Sequence, residues 1–227
     1  MLKNRVLYQL AIMQFHSLKS YSEEMEDSIK SSAAKYREHL NEEAKSIDSF
    51  DDQFWEYGSD RLKELHIDYP NHLRSSLLIT CITIVEKTLT NIHYDIKNET
   101  DINIVGLNSK KLKGSTINKV VTSIHSDEIS LHELISSEEW KNLKFYIDIR
   151  NRVVHDAGLV HPKKHEELFG RIKQIESQGS GIVGLNTYHE ITFSDKFSEK
   201  VISDCQTVLE QFTTVINNHF KSNPKPL

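Results

Sequence analysis

Arg150, Asn151, Arg152 and His155 crowd the end of one stretch, EEWKNLKFYIDIRNRVVHDAG, which runs from Glu138 to Gly158. An imidazole with an ordinary pKa of about 6.5 can take up or release a proton near neutral pH, so His155 is a candidate general base or acid. The Arg150 guanidinium offers a fixed fork of N–H donors to the non-bridging oxygens of a phosphate. Asn151, about one turn before His155, can hydrogen-bond the same anion or hold the imidazole in place. Proton transfer beside a fixed cation is acid–base chemistry on an anionic substrate, and an apolar helix end seldom needs this much polar equipment for packing. The structural alternative is a helix C-terminus decorated with cations that suit the macrodipole, with Asn151 and His155 acting as caps.

A helix must carry these groups. Ser136 and Glu139 have the spacing of a capping box, which predicts a start near Ser136. Trp140, Leu143, Ile147 and Val154 mark an apolar face, and Gly158 supplies the residue that takes positive φ just past the end, so the helix should finish within a turn of His155. At about 100° per residue, Asp148, Asn151 and His155 form one polar stripe, whereas Arg150 lies roughly 140° round from His155. An unbroken helix aims the two apart. Convergence on one ligand then needs either a loosened C-terminus or a second copy of the chain. Asp148 is a candidate to orient His155.

The stretch resembles the HEPN superfamily, all-helical domains whose nuclease members carry Arg, a polar residue that is often Asn, a few further positions and then His. The match here is Arg150, Asn151, Arg152, Val153, Val154, His155. A second Arg-to-His match, RLKELH from Arg61 to His66, has Leu62 where the family has a polar side chain, and it follows an Asp-rich stretch instead of a long apolar helix. The resemblance implies a metal-independent endoribonuclease of toxin or phage-defence type, with Arg150, Asn151 and His155 as catalytic residues and no cofactor. It implies cleavage by 2′-OH attack, products ending in a 2′,3′-cyclic phosphate and a 5′-OH, and a homodimer whose two motifs face one cleft. A nucleotidyltransferase-type antitoxin is the partner such proteins commonly have. Arg152, Lys111, Lys113 and Lys144 are the candidate RNA-binding cations. The superfamily also contains catalytically silent members, so a helical dimerisation or binding module is the alternative.

Charge, hydropathy and punctuation bound the rest. With 37% hydrophobic and 27% charged residues, Gly 8 and Pro 4, the chain reads as a mainly α protein with too few turn residues for an all-β fold. A net charge of −5 does not advertise a nucleic-acid partner. Ten lysines and arginines lie between Lys110 and Lys164, the stretch that holds the motif, and acidic groups cluster at Glu23 to Asp27 and Asp48 to Asp60. Cys81 and Cys205 lie far apart in apolar contexts that suggest neither a disulfide framework nor a zinc site, which fits a cytoplasmic setting. No stretch reaches the roughly 18 to 20 apolar residues of a membrane span.

The expected architecture is an antiparallel helical bundle over residues 69–227, HEPN-like, with a helical extension over 1–68 and a small inserted β-hairpin. In the extension, helices are expected over Asn4 to Leu18, Tyr21 to Ile47 and Asp48 to His66. The middle one carries a thin seam of Met25, Ile29, Ala33, Tyr36, Leu40, Ala44 and Ile47, suited to packing along its own domain or against another chain. Phe50, Phe54, Trp55 and Tyr57 read as packing aromatics. Pro70 is taken as a boundary, because the residue before proline avoids helical geometry. Bundle helices are expected over Pro70 to Ile92, Thr116 to His125, Ser136 to His155 and Asp195 to Phe220. Glu86 is read as a carboxylate at the edge of the buried stripe. The basic SKKLKGS segment lacks the P-loop order of residues and reads as a loop opening the next helix. Pro162 suits the first turn of a helix over Lys163 to Gln178, and His161 and His165, four apart, raise a metal site that the spacing does not complete. Ile182 to Phe193 alternates as a hairpin with Asn186 at its turn, and the tail SNPKPL reads as disordered.

Overall fold

The computed structural model describes residues 2–45, 52–100, 102–126, 128–179 and 181–222. Its elements, in chain order, are α1 (Leu2–Glu43), α2 (Asp52–Lys63), a π-turn (Glu64–Asp68), α3 (Tyr69–Glu99), α4 (Thr116–Ile124), α5 (His132–Ser136), α6 (Glu138–Asp156), α7 (Glu166–Ser177), β1 (Val183–Leu185), β2 (Ile191–Phe193) and α8 (Phe197–Ser222). The fold is mainly helical with one small two-stranded antiparallel sheet, as the sequence pattern requires. Among the described residues no helix is long and apolar enough to cross a membrane. Two compact units interleave along the chain. The first comprises Met1–Ser17, Leu78–Asn151 and Glu199–Leu227, the second Leu18–Leu77 and Arg152–Ser198. Residue 68, the expected linear boundary, lies in the uninterrupted helical run from α2 through the π-turn into α3.

In the first unit the long apolar periodicities become core. Leu78, Val85, Leu89 and Ile92 of α3, Val120 and Ile124 of α4, Leu143 and Ile149 of α6, and Val208, Phe212 and Ile216 of α8 are fully or almost fully buried. Glu86 is only partly buried, at the edge of that stripe. Ser115 caps α4 by accepting the Asn118 N–H at 3.3 Å, so the basic segment does open that helix. One buried carboxylate ties α6 to α8: Asp204, 2% exposed, accepts from the Tyr146 hydroxyl at 2.8 Å, the Asn142 amide at 3.1 Å and Lys200 Nζ at 2.6 Å. Three donors offset the cost of removing that charge from water. Cys81 and Cys205 are free and buried, and burial pushes the Cys81 thiol up to about 12, which leaves it inert as a nucleophile.

His93 is a buried titratable group of this unit. Its Nε2 donates to the Val105 carbonyl at 3.1 Å, and its buried Nδ1 has no hydrogen-bond partner. A second proton would find no acceptor. Burial, with a smaller contribution from Lys97, holds the imidazole pKa below its usual value.

The second unit is joined by polar contacts between residues distant in sequence. Arg74 of α3 makes a two-pronged ion pair with Glu26 of α1, at 2.6 and 2.7 Å, and donates through Nη1 to the Phe193 carbonyl of β2 at 2.7 Å. Asn71, one turn earlier, donates to the Ile191 carbonyl and accepts from the Phe193 N–H, both at 3.1 Å, and so pairs with the strand as a third strand would. In the hairpin, Val183 faces Phe193, Gly184 faces Thr192 and Leu185 faces Ile191. Asn186 Oδ1 accepts from the Tyr188 and Glu190 N–H groups, each at 2.9 Å, and this closes the turn at the residue the sequence marks.

Several expectations need correction. The first two helices are one, α1, because nothing between Leu18 and Tyr21 is a helix breaker and serine costs only a few tenths of a kcal/mol there. Pro70 does not stop the helix. Tyr69 stays helical at φ −64 and ψ −47, and its N–H reaches back to Glu64 O in the wider π spacing; the widened turn accommodates a residue that has no N–H to give. Tyr57 is 75% exposed and packs in no core, while Phe50 and the side chains of Phe54 and Trp55 lie outside the described residues. Pro162 sits in a turn ahead of α7, not within it. Of the tail, the residues after Ser222 lie outside the described set.

Two outcomes follow from the buried polar groups. Arg74→Ala or Glu26→Ala should each destabilise the protein by about 3–5 kcal/mol, because either leaves an unpaired buried charge, whereas the Arg74→Met, Glu26→Leu double variant should recover most of that loss in urea unfolding. His93 binds its proton more readily unfolded than folded. Its contribution to stability is therefore complete above about pH 6.5 and is lost as pH falls towards the lowered folded pKa, so His93→Gln should flatten the stability–pH curve below about pH 6.5 in unfolding experiments at pH 7, 6 and 5.

Candidate functional site

The motif sits on the last turns of α6. That helix starts one residue later than the capping-box spacing suggests, because Ser136 closes α5. Ser137 is the cap, its hydroxyl accepting from the Trp140 N–H at 3.1 Å. Trp140, Leu143, Phe145, Tyr146, Ile147 and Ile149 are buried, a wider apolar arc than the sequence pattern marks. Val154 does not belong to that arc and is 45% exposed. The helix runs unbroken to Asp156 and ends as expected. Ala157 has φ +50 and Gly158 φ +84, and the Gly158 N–H bonds the Arg152 carbonyl at 3.0 Å, the closure of a left-handed helix stop.

Arg150 and Asn151 close the α6 segment of the first unit. Arg150 is half-buried, its Nη1 donates to Asn151 Oδ1 at 3.2 Å, and its buried Nε has no hydrogen-bond partner. Lys111, Lys113 and Lys144 are exposed residues of the same unit, and Asp148 is exposed as well. Because α6 stays regular, the loosening that would swing Arg150 towards the His155 side of the helix does not occur.

Arg152 and His155 open the α6 segment of the second unit. His155 is exposed and makes no hydrogen bond or ion pair with a described residue. Arg152 is engaged: its Nη1 donates to Asp156 Oδ2 and, at 2.7 Å, to His165 Nε2. The paired histidines raised as a metal site serve the turn between α6 and α7. His161 Nδ1 accepts from the Lys163 and Lys164 N–H groups, at 3.2 and 3.4 Å, and the His161 N–H faces His165 Nδ1 at 3.1 Å. Among the described residues no group of three or more His, Cys, Asp or Glu side chains is placed to hold a metal. Removal from solvent and then the Arg152 guanidinium push the His165 pKa below its usual value.

The decoy match lies in the same unit and is closed. Arg61 Nη1 donates to Glu64 at 2.6 Å and to the Tyr69 hydroxyl at 2.7 Å, and His66 Nε2 accepts from Arg37 at 3.2 Å. A cleft of about 380 Å³ also lies in this unit, lined by Asp68, His72 and Glu190 together with Val153, Ala157 and Gly158 at the end of α6. Val153 and His155 differ by roughly 200° around the helix, so the cleft and His155 lie on opposite sides of it. Two carboxylates make the cleft a poor place for a phosphate.

Sequence reasoning passed over Asp156 and gave His165 a different role. The first was within reach, since a carboxylate four residues after an arginine on a helix is a standard ion-pair spacing. Nothing in the spacing marks His165 as a partner of Arg152, because the turn from Gly158 to His165 decides that contact. Comparison with protein-family models, with curated proteins and with solved structures finds no match.

The helix stop is directly testable. Gly158→Ala should cost about 1–2 kcal/mol in thermal or urea unfolding, since a Cβ at φ +84 is strained while the space around it is open, the nearest atom being Ile191 N at 3.8 Å.

Proposed function

We propose that the chain is a metal-independent endoribonuclease of HEPN type, with His155 transferring a proton and Arg150 and Asn151 binding the phosphate. Two copies arranged around one cleft belong to this reading, as does a cytoplasmic toxin or phage-defence role with a nucleotidyltransferase-type antitoxin as partner. The observation that supports it most is the contrast between the two Arg-to-His matches. At Arg61 and His66 the guanidinium and the imidazole are both taken up by neighbouring side chains. At Arg150 and His155 the imidazole stands exposed without a described partner, and among the described residues the guanidinium is hydrogen-bonded only to the adjacent Asn151. An exposed imidazole beside cations can serve as acid or base at neutral pH without a metal. The mainly helical fold is what this reading requires, and two copies would supply together the groups that one regular helix aims apart.

A second reading, a catalytically silent dimerisation or binding module of the same fold, is favoured by the net charge of −5 and by the pairing of Arg152 with Asp156. Incubation of total RNA with the full-length protein in EDTA separates the two. The wild type should cut RNA to fragments ending in 2′,3′-cyclic phosphate and 5′-OH. His155→Ala and Arg150→Ala should each lose about 10²–10⁴-fold in rate, while His66→Ala should keep full activity. Equal cleavage by all variants, or none by any, removes the nuclease reading.

A further inference from the structure

Arg152, His155, Asp156 and His165 belong to one unit. On α6, His155 and Asp156 follow Arg152 by three and four residues, which places their Cβ atoms about 5–6 Å from that of Arg152 on adjoining strips of the helix surface. The guanidinium already spans from Asp156 to the imidazole of His165. Two imidazoles, a guanidinium and a carboxylate therefore gather around one residue, and all four side chains come from a single copy of the chain.

The His165 ring is in an unusual position. Its Nε2 faces a guanidinium N–H at 2.7 Å and its Nδ1 faces the His161 N–H at 3.1 Å. A neutral imidazole has one lone pair in the ring plane and one N–H, so it cannot accept at both nitrogens, and an imidazolium can accept at neither. Protonation is disfavoured as long as Arg152 stays. The charged groups that face the ring agree: burial, Arg152, Lys164 and His161 all lower its pKa, and only Asp156 acts the other way. A ring kept neutral beside a cation that can be drawn away is the resting state a general base requires.

We propose that His165 is the second proton-transfer group of the RNA-cleaving site, acting as general base opposite His155 as general acid, with Arg152 as the phosphate-binding cation beside them. This rests on the endoribonuclease reading and adds to it a second imidazole from within the same chain. The phosphate oxygens draw the Arg152 guanidinium off His165, since a charge-assisted bond to phosphate outcompetes one to a neutral ring. The freed Nε2 lone pair takes the 2′-OH proton. The 2′-oxygen forms its bond to phosphorus, the bond from phosphorus to the 5′-oxygen breaks, and the His155 imidazolium gives its proton to that oxygen. A 2′,3′-cyclic phosphate and a 5′-OH result, and exchange with water returns both rings to their starting protonation.

The test is the pH dependence of kcat/KM, in EDTA, on a short RNA and on a ribonucleoside 3′-(4-nitrophenyl phosphate), whose leaving group needs no acid. The wild type should give a bell-shaped profile on RNA and lose the alkaline limb on the aryl ester. His165→Gln keeps a carbonyl oxygen to accept from Arg152; it should lose about 10²–10⁴-fold on both substrates, together with its acidic limb. His155→Gln should lose as much on RNA and recover on the aryl ester. A folded His165→Gln protein with wild-type rate and both limbs overturns the inference and leaves the nuclease reading standing. A single-limbed wild-type profile on RNA overturns it without any variant, and a wild type that cuts no RNA overturns both.

Discussion

The left-handed stop at Gly158 determines the surroundings of Arg152. Its N–H closes back on the Arg152 carbonyl at 3.0 Å and its carbonyl accepts from the Ile191 N–H at 3.0 Å, so one residue both ends α6 and starts the pairing with β2. Leu159 bridges Glu190, and the Val160 N–H bonds the His189 carbonyl at 2.9 Å, which extends the pairing by one more step. The chain leaving the helix is therefore fixed against the hairpin. It then reverses through the turn from His161, where the His165 N–H returns to the His161 carbonyl at 2.9 Å, and this sets an imidazole against the guanidinium one turn before the helix end. Without that stop, Arg152 would meet water where it now meets His165.

What the sequence makes legible is what local rules decide. The run of α6, its stop at Gly158, the basic loop that opens α4, the hairpin with Asn186 at its turn and the helix α8 each depend on residues within a few positions of one another. The failures share a cause. The Arg74 and Glu26 pair joins helices 48 positions apart, and no periodicity announces it. Pro70 does not stop the helix because the π-turn before it accommodates a ring with no N–H to give, and this overrides the local preference against helical geometry at Tyr69. Ser136 and Ser137 are chemically equivalent caps, and only the presence of α5 decides between them. The cluster around Arg152 combines the two cases: Asp156 follows from helix geometry, while His165 is delivered by a turn whose path depends on its contacts with the hairpin.

Electrostatics restricts how such a site can work. The protein carries a net charge of −5, and the cleft on the far side of the α6 terminus holds Asp68 and Glu190, so long-range attraction does little to bring a polyanion in. Arg152 is neutralised by Asp156 in the free protein. In the proposed reaction, phosphate binding at Arg152 is an exchange of partners, with the anion competing against a carboxylate and an imidazole already in place. Such an exchange favours a ligand that presents two oxygens in the plane of the guanidinium over one that merely carries charge.

The same reasoning explains why the two Arg-to-His matches differ despite their equal spacing. Arg61 holds a carboxylate and a phenol hydroxyl at once and lies over the Tyr69 ring, so a ligand would have to displace three favourable contacts and return nothing to His66, which is held separately by Arg37. Within the second match, at the end of α6, the proposed reaction uses Arg152: its guanidinium leaves His165 for phosphate and so uncovers the lone pair of that ring. A motif of two residue types at fixed separation is therefore incomplete as a statement of chemistry. The partner each group must give up before it can act determines whether the spacing has any consequence.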